Sequence, residues 1–204
     1  LAGAGLAAFD DPDAESALRA AVLTGPEVPM ARLHYGAYLA REGLYDDALE
    51  QLHVAVELAP EDPAVHGELA TALALKGDLD EAAATLETAL DMAPDDDWAR
   101  VIFGLIQVER DELEAGAEAL IRAAQEREDD GEAQILAALA AAAVGWEDAA
   151  QDALARAGYV VEGDDAALME EAEERILAGR EAASQMLRET VAPSALRERL
   201  SHSL

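Results

Sequence analysis

The chain has 204 residues, 51% of them hydrophobic and only 4% aromatic, and alanine supplies roughly a quarter; strands would draw on more β-branched and aromatic side chains, so this mixture predicts an all-α fold of closely packed helices. Forty-four acidic residues against 14 basic ones give a formal net charge of −30, a surface that repels phosphate backbones and anionic headgroups and so argues against nucleic acid and membrane binding. There is no cysteine, hence no disulfide or thiol chemistry, and neither a signal segment nor an apolar run of the roughly 18 residues a membrane span needs.

The N-terminal stretch reads as part of a helix, Leu1 to Phe9, then a turn at Asp10 to Asp13. A second helix follows, carrying Ala14, Leu18 and Ala21 and closing at Pro26. The spacing of 4 and 3 puts the three residues on one face. The next stretch repeats the design: Gly43 ends a helix, since a glycine past the last turn accepts a left-handed backbone at little cost. Asp46 and Asp47 fall in a first turn, where the macrodipole favours negative charge. Ala48, Leu52 and Ala55 share a face, and Pro60 cannot continue the helix.

A shift of 34 residues aligns Pro26, Pro60 and Pro94. It also aligns Leu18, Leu52, Leu86, Leu120 and Leu154, and Ala21, Ala55, Ala89, Ala123 and Ala157. Further registers hold Ala14, Ala48, Ala82, Gly116 and Ala150, and Gly43, Gly77 and Gly145. This is an internal repeat of helix, tight turn, helix and proline-marked turn.

On these residues the chain resembles the tetratricopeptide repeat family. That family's glycine, alanine, large apolar residue, alanine and closing proline match Gly43, Ala48, Leu52, Ala55 and Pro60, then Gly77, Ala82, Leu86, Ala89 and Pro94. The third unit departs, with Asp111 where glycine is usual, Gly116 for the alanine and Glu128 for the proline. The fourth keeps Gly145, Ala150, Leu154 and Ala157 but has Glu162 for the proline. The family's early aromatic is replaced by Arg32, His66, Arg100 and Gln134. The resemblance implies a right-handed α/α superhelix: a partial repeat over 1–28, four repeats over 29–62, 63–96, 97–130 and 131–162, and a C-terminal element over 163–204. Because the chain opens at Leu1 inside a repeat, an upstream stretch is expected, and cytoplasm is the default location.

After Gly163 the register fades. Leu168, Ala172, Ile176, Gly179, Ala183, Met186 and Thr190 recur every 3 or 4 residues, predicting one long amphipathic helix over 165–191. Pro193 should stop it, leaving a short frayed helix with Leu196, Leu200 and Leu204. This element reads either as a cap with a polar outer face or as a helix that folds into a groove of its own or another chain.

Nothing in the sequence points to catalysis, a metal or a cofactor. His34, His53, His66 and His202 are scattered, no phosphate-cradling glycine motif is present, and the runs Asp95–Asp97, Glu128–Asp130 and Asp164–Asp165 lack calcium-ligand spacing. These acidic runs read as solvated turns and helix N-caps. Function should then lie on the concave surface, which in the family is lined by the first helix of each unit. The facing places are Met30, Leu33, Ala37 and Ala40; Ala64, Gly67, Thr71 and Ala74; Trp98, Val101, Leu105 and Val108; and Glu132, Ile135, Leu139 and Ala142. They lack the Lys, Arg and Asn with which chaperone-binding members of the family hold a carboxylate. Instead they describe an apolar trough centred on Trp98, Val101, Leu105, Ile135 and Leu139, suited to an amphipathic or apolar helix, the alternative being that some of these positions pack against one another and the trough is shallower.

The expected function is a non-enzymatic scaffold for a protein partner. The alternatives are self-association through the C-terminal helix, giving a homo-oligomer, and a regulatory or assembly segment of a larger polypeptide. The acidity, with Lys76 the sole lysine, is compatible with a high-salt cytoplasm, with a GC-rich genome, or with a basic partner.

Overall fold

The computed structural model describes residues 13–161 and 165–203, and among them every regular element is helical. The chain divides into two compact units, one comprising Leu1–Asp95 with Leu200–Leu204 and the other Asp96–Arg199. The first holds α1 (Ala14–Thr24), α2 (Pro29–Arg41), α3 (Tyr45–Leu58), α4 (Pro63–Lys76) and α5 (Leu79–Met92). The second holds α6 (Asp97–Glu109), α7 (Leu113–Glu126), α8 (Gly131–Val144), α9 (Glu147–Val160), α10 (Asp165–Ala178) and α11 (Arg180–Met186), then a π-helical turn (Leu187–Val191) leading into α12 (Ala192–Ser203), of which it includes the part up to Arg199. The sequence-predicted helix at Leu1 to Phe9, most of the turn after it, Glu162 and Asp164 lie outside the described residues.

The 34-residue period is written into the helix starts: α2, α4, α6 and α8 begin at residues 29, 63, 97 and 131, and α3, α5, α7 and α9 at 45, 79, 113 and 147. In the first unit α2 packs on α3 and α4 on α5, while α3 also meets α4; in the second α6–α7, α7–α8 and α8–α9 do the same. Starts are set by aspartates in one register. Asp62, Asp96 and Asp130 accept hydrogen bonds from the backbone N–H of Ala64, Ala99 and Ala133, each at 3.0 Å, satisfying donors that a helix leaves unpaired. The seams are sealed by small and large residues in alternation: Ala48, Leu52 and Ala55 are fully buried, as are Ala82 and Leu86.

The places where an aromatic was expected carry polar bridges instead. Arg32 Nη1 donates to Gln51 Oε1 at 2.7 Å, and His66 Nε2 donates to the Pro60 carbonyl at 2.9 Å. Arg100 Nη1 pairs with Asp97 at 3.0 Å and reaches Glu126 at 3.8 Å, and Gln134 Nε2 donates to the Ala124 carbonyl at 2.6 Å. Each ties the first helix of a unit to the end of the preceding unit or to its own second helix. A hydrogen bond thus replaces an aromatic knob.

The C-terminal segment departs from its predicted form. The break falls at Gly179, at φ 112°, a backbone that L side chains rarely adopt. From Arg180 the chain stays helical to Ser203, straight through Pro193. Proline in a helix interior removes an N–H and pushes against the carbonyl four residues back. Here the preceding turn is widened, the Ala192 N–H donating to the Leu187 carbonyl five residues back, which makes room for the ring. The wide turn also holds the apolar face in phase, so that Ala183, Met186, Leu187, Val191, Ala192, Ala195 and Leu196 are all buried.

Candidate functional site

In the second unit the first helices of its two repeats, α6 and α8, carry stripes of the same spacing. On α8, Glu132, Ile135 and Leu139 line one face at i, i+3 and i+7; on α6, Trp98, Val101, Leu105 and Glu109 do so. The C-terminal segment lies over both: α11 packs on α8, and the π turn on α6 and α8. Its direction follows from its polar contacts. Arg180 Nε donates to the Ala143 carbonyl near the end of α8 at 2.7 Å, and Arg199 Nη2 pairs with Glu132 Oε2 near its start at 2.6 Å. The segment therefore runs antiparallel to α8.

Two further arginines bear on the end of α6 and the turn after it. Arg188 pairs with the Asp111 carboxylate, and Arg197 lies close enough to Glu109 to pull its carboxyl down, against a larger upward push from burial. Asp111 has a backbone reason to be noticed. Gly43, Gly77 and Gly145 end their helices at φ 77°, 96° and 85°, and Asp111 does the same at φ 68°. The residue after each donates to the carbonyl five residues back: Leu44 to Leu39, Asp78 to Leu73, Glu112 to Gln107 and Trp146 to Ala141. The turn is therefore the same in all four repeats, and at Asp111 it carries the roughly 1–2 kcal/mol cost of a left-handed L residue. What the departure supplies is a carboxylate beneath Arg188.

Asp111→Gly should keep the turn while freeing Arg188. Amide exchange over 187–199 is expected to quicken about fivefold, the scale of a partly exposed ion pair, with the exchange of α6 and α7 unchanged. Unaltered exchange in the C-terminal segment would show that the pair does not hold it.

The predicted site residues have diverse fates. Leu105, Ile135 and Leu139 are fully buried and Val101 nearly so, so the exposed trough expected there is corrected to a covered face. Trp98, expected at its centre, is half-buried in the first turn of α6. Val108 belongs to the α6–α7 seam, since a Cβ on Gly116 would stand 2.9 Å from its Cγ2. In the first unit Leu33 joins a core cluster with Ala55 and Val65, whereas Met30 is 41% exposed. These seam and core positions share the helical spacing of the groove residues, which is why periodicity alone did not separate them. Arginines 180, 188, 197 and 199 were missed; their signal was a segment with more basic than acidic residues in an acidic chain.

Among the described residues no group of three or more His, Cys, Asp or Glu converges as a metal site, and no helix is long and apolar enough to cross a membrane. Lys76 is tied to Asp46 at 2.9 Å and Asp78 at 3.3 Å.

Family models described as tetratricopeptide repeat match residues 12–63 and 39–102. Comparison with curated protein sequences gives no match. Among solved structures, the chain is similar to YrrB, a TPR protein with an unusual peptide-binding site, at 19% identity over 89% of this chain and 98% of that one, TM-score 0.67. It is similar to MamA at 20% identity over 79% of this chain and 89% of that one, TM-score 0.64. A subunit of Naa15/Naa10 bound to HypK-THB aligns with 100% of this chain and 36% of its own length, at 14% identity and TM-score 0.61. At these identities the likeness is one of fold.

Proposed function

We propose that this chain, a tetratricopeptide repeat protein by its match to that family's models over residues 12–102, is a protein–protein interaction scaffold whose binding surface is the face of α6 and α8, built to take an amphipathic helix laid across it. One observation carries this reading: a helix of that kind, residues 180–199 of the same chain, already lies on it with its apolar side down. Helix-in-groove recognition works through such faces, with anchors at i, i+3, i+4 and i+7. YrrB's peptide-binding site is a property of that protein, and it lends general support to peptide capture on this fold.

The test uses the full chain with Leu187→Glu, which places a charge at a fully buried position of the occupant and should lift it off while the repeats stay helical. A displayed library of amphipathic helices should then enrich at least tenfold more on the opened chain than on wild type. Equal enrichment, or none on either, would reject the reading. A second reading, exchange of the C-terminal helix between two copies, draws on the link at Gly179, since helices joined by such links swap readily between protomers. Sedimentation velocity of the wild type from low to high micromolar concentration tests it, and a single-chain mass throughout rejects it.

A further inference from the structure

We infer that the guest of the α6–α8 face is a helix of a partner protein carrying two arginines eleven residues apart, one for Asp111 and one for Glu132, and that residues 180–199 stand in for it until it arrives. This rests on the helix-in-groove reading above and adds the chemistry of the guest.

Charge is the first support. The chain is −30 overall, yet residues 180–204 hold four arginines against three glutamates, a local net of +1, which leaves −31 on the rest. Three of the four arginines are directed at the face, Arg180 at the Ala143 carbonyl, Arg188 at Asp111 and Arg199 at Glu132, while Arg197 donates to the Pro193 carbonyl of its own helix. Asp111 and Glu132 are met by Arg188 and Arg199, which on a helix stand about 16 Å apart along the axis. Placing Asp111 in a left-handed turn where the other three repeats use glycine has a purpose if that carboxylate reads the guest.

The resident helix also has the marks of an occupant that can leave. Three positions of its buried face are alanine, Ala183, Ala192 and Ala195, so a guest with larger apolar residues there would bury more area. The Arg188–Asp111 pair is partly exposed, 39% and 72% at the two side chains, which limits its strength. Arg199 Nε is buried with no hydrogen-bond partner among the described residues. What the resident helix has in its favour is its tether, worth a millimolar effective concentration.

A fluorescent peptide with the sequence of residues 180–204, and the same peptide with Arg188→Glu and Arg199→Glu, are titrated by anisotropy. The titrations use wild-type full chain and two opened full chains, Leu187→Glu and Met186→Glu, each verified as helical by circular dichroism. The expected result is micromolar binding of the arginine peptide to both opened chains, at least tenfold weaker binding of the glutamate peptide, and at least tenfold weaker binding of either to wild type. Equal binding of both peptides to the opened chains would overturn the arginine code and leave the helix-in-groove reading standing. Binding of neither would overturn both. Opened chains that double in mass on sedimentation would assign the face to a second copy and overturn the partner.

Discussion

Leu105→Glu is expected to take away a large part of the second unit's stability, in addition to blunting its binding. Leu105 has no exposed surface and lies on α6, against which the π turn packs. The substitution removes a fully buried leucine, costing about 2–5 kcal/mol by itself if nothing fills the space. It also buries a carboxylate for which the α6–α8 stripes supply two more carboxylates, Glu109 and Glu132. Burial of an unpaired charge adds several kcal/mol or forces the group to take up a proton. A total above about 4 kcal/mol is therefore expected, a large fraction of the stability of a domain. Urea unfolding followed at 222 nm should show helix loss at far lower denaturant than wild type. Trp98→Ala, at a half-buried place in the first turn of α6, should stay close to wild type and is the better probe of binding. A wild-type midpoint for Leu105→Glu would mean that this face opens freely to water and that the resident helix is only loosely held.

That revision shows which layer of the molecule the amino-acid pattern expresses. The period, the glycine turns and the aspartate caps are local: each is decided by residues within one or two turns, so Gly77 or Asp96 announces itself in the sequence. The use of a face is decided elsewhere. Val108 and Leu105 share the spacing that marks a groove, but Val108 is claimed by Gly116 on α7, and α6 itself is met by a segment that begins some 75 residues after Leu105. The C-terminal helix was visible as periodicity, yet its limits were not, because two local rules competed. Gly179 ends a helix through its left-handed backbone, and Pro193 does not, because a widened turn absorbs it. Asp111 was legible as a departure from glycine. Its reason appeared only when Arg188 was seen across from it.

In the first unit, Glu68→Gln should stabilise the protein above neutral pH and do nothing for it in acid. Glu68 lies on α4, and burial pushes its carboxyl up to about 7, with Arg41 pulling the other way by a smaller amount. Its Oε2 is buried without a hydrogen-bond partner among the described residues, so the charged form has lost water and gained little. The folded state holds this proton more tightly than the unfolded chain, whose carboxyl titrates near 4.5. Below 4.5 both states are protonated and burial carries no electrostatic penalty. Between 4.5 and about 7 the unfolded chain releases its proton first, and stability falls as pH rises. Above 7 the full penalty applies, about 2–3 kcal/mol after allowance for partial solvent screening. Glutamine keeps the shape and carries no charge, so the variant should melt higher than wild type by roughly 4–10 °C at pH 8 and within about a degree of it at pH 4. Thermal melts of the two full-length chains at those pH values decide the matter. An equal difference at both would show that the gain, if any, comes from packing and that Glu68 titrates as an ordinary surface carboxylate.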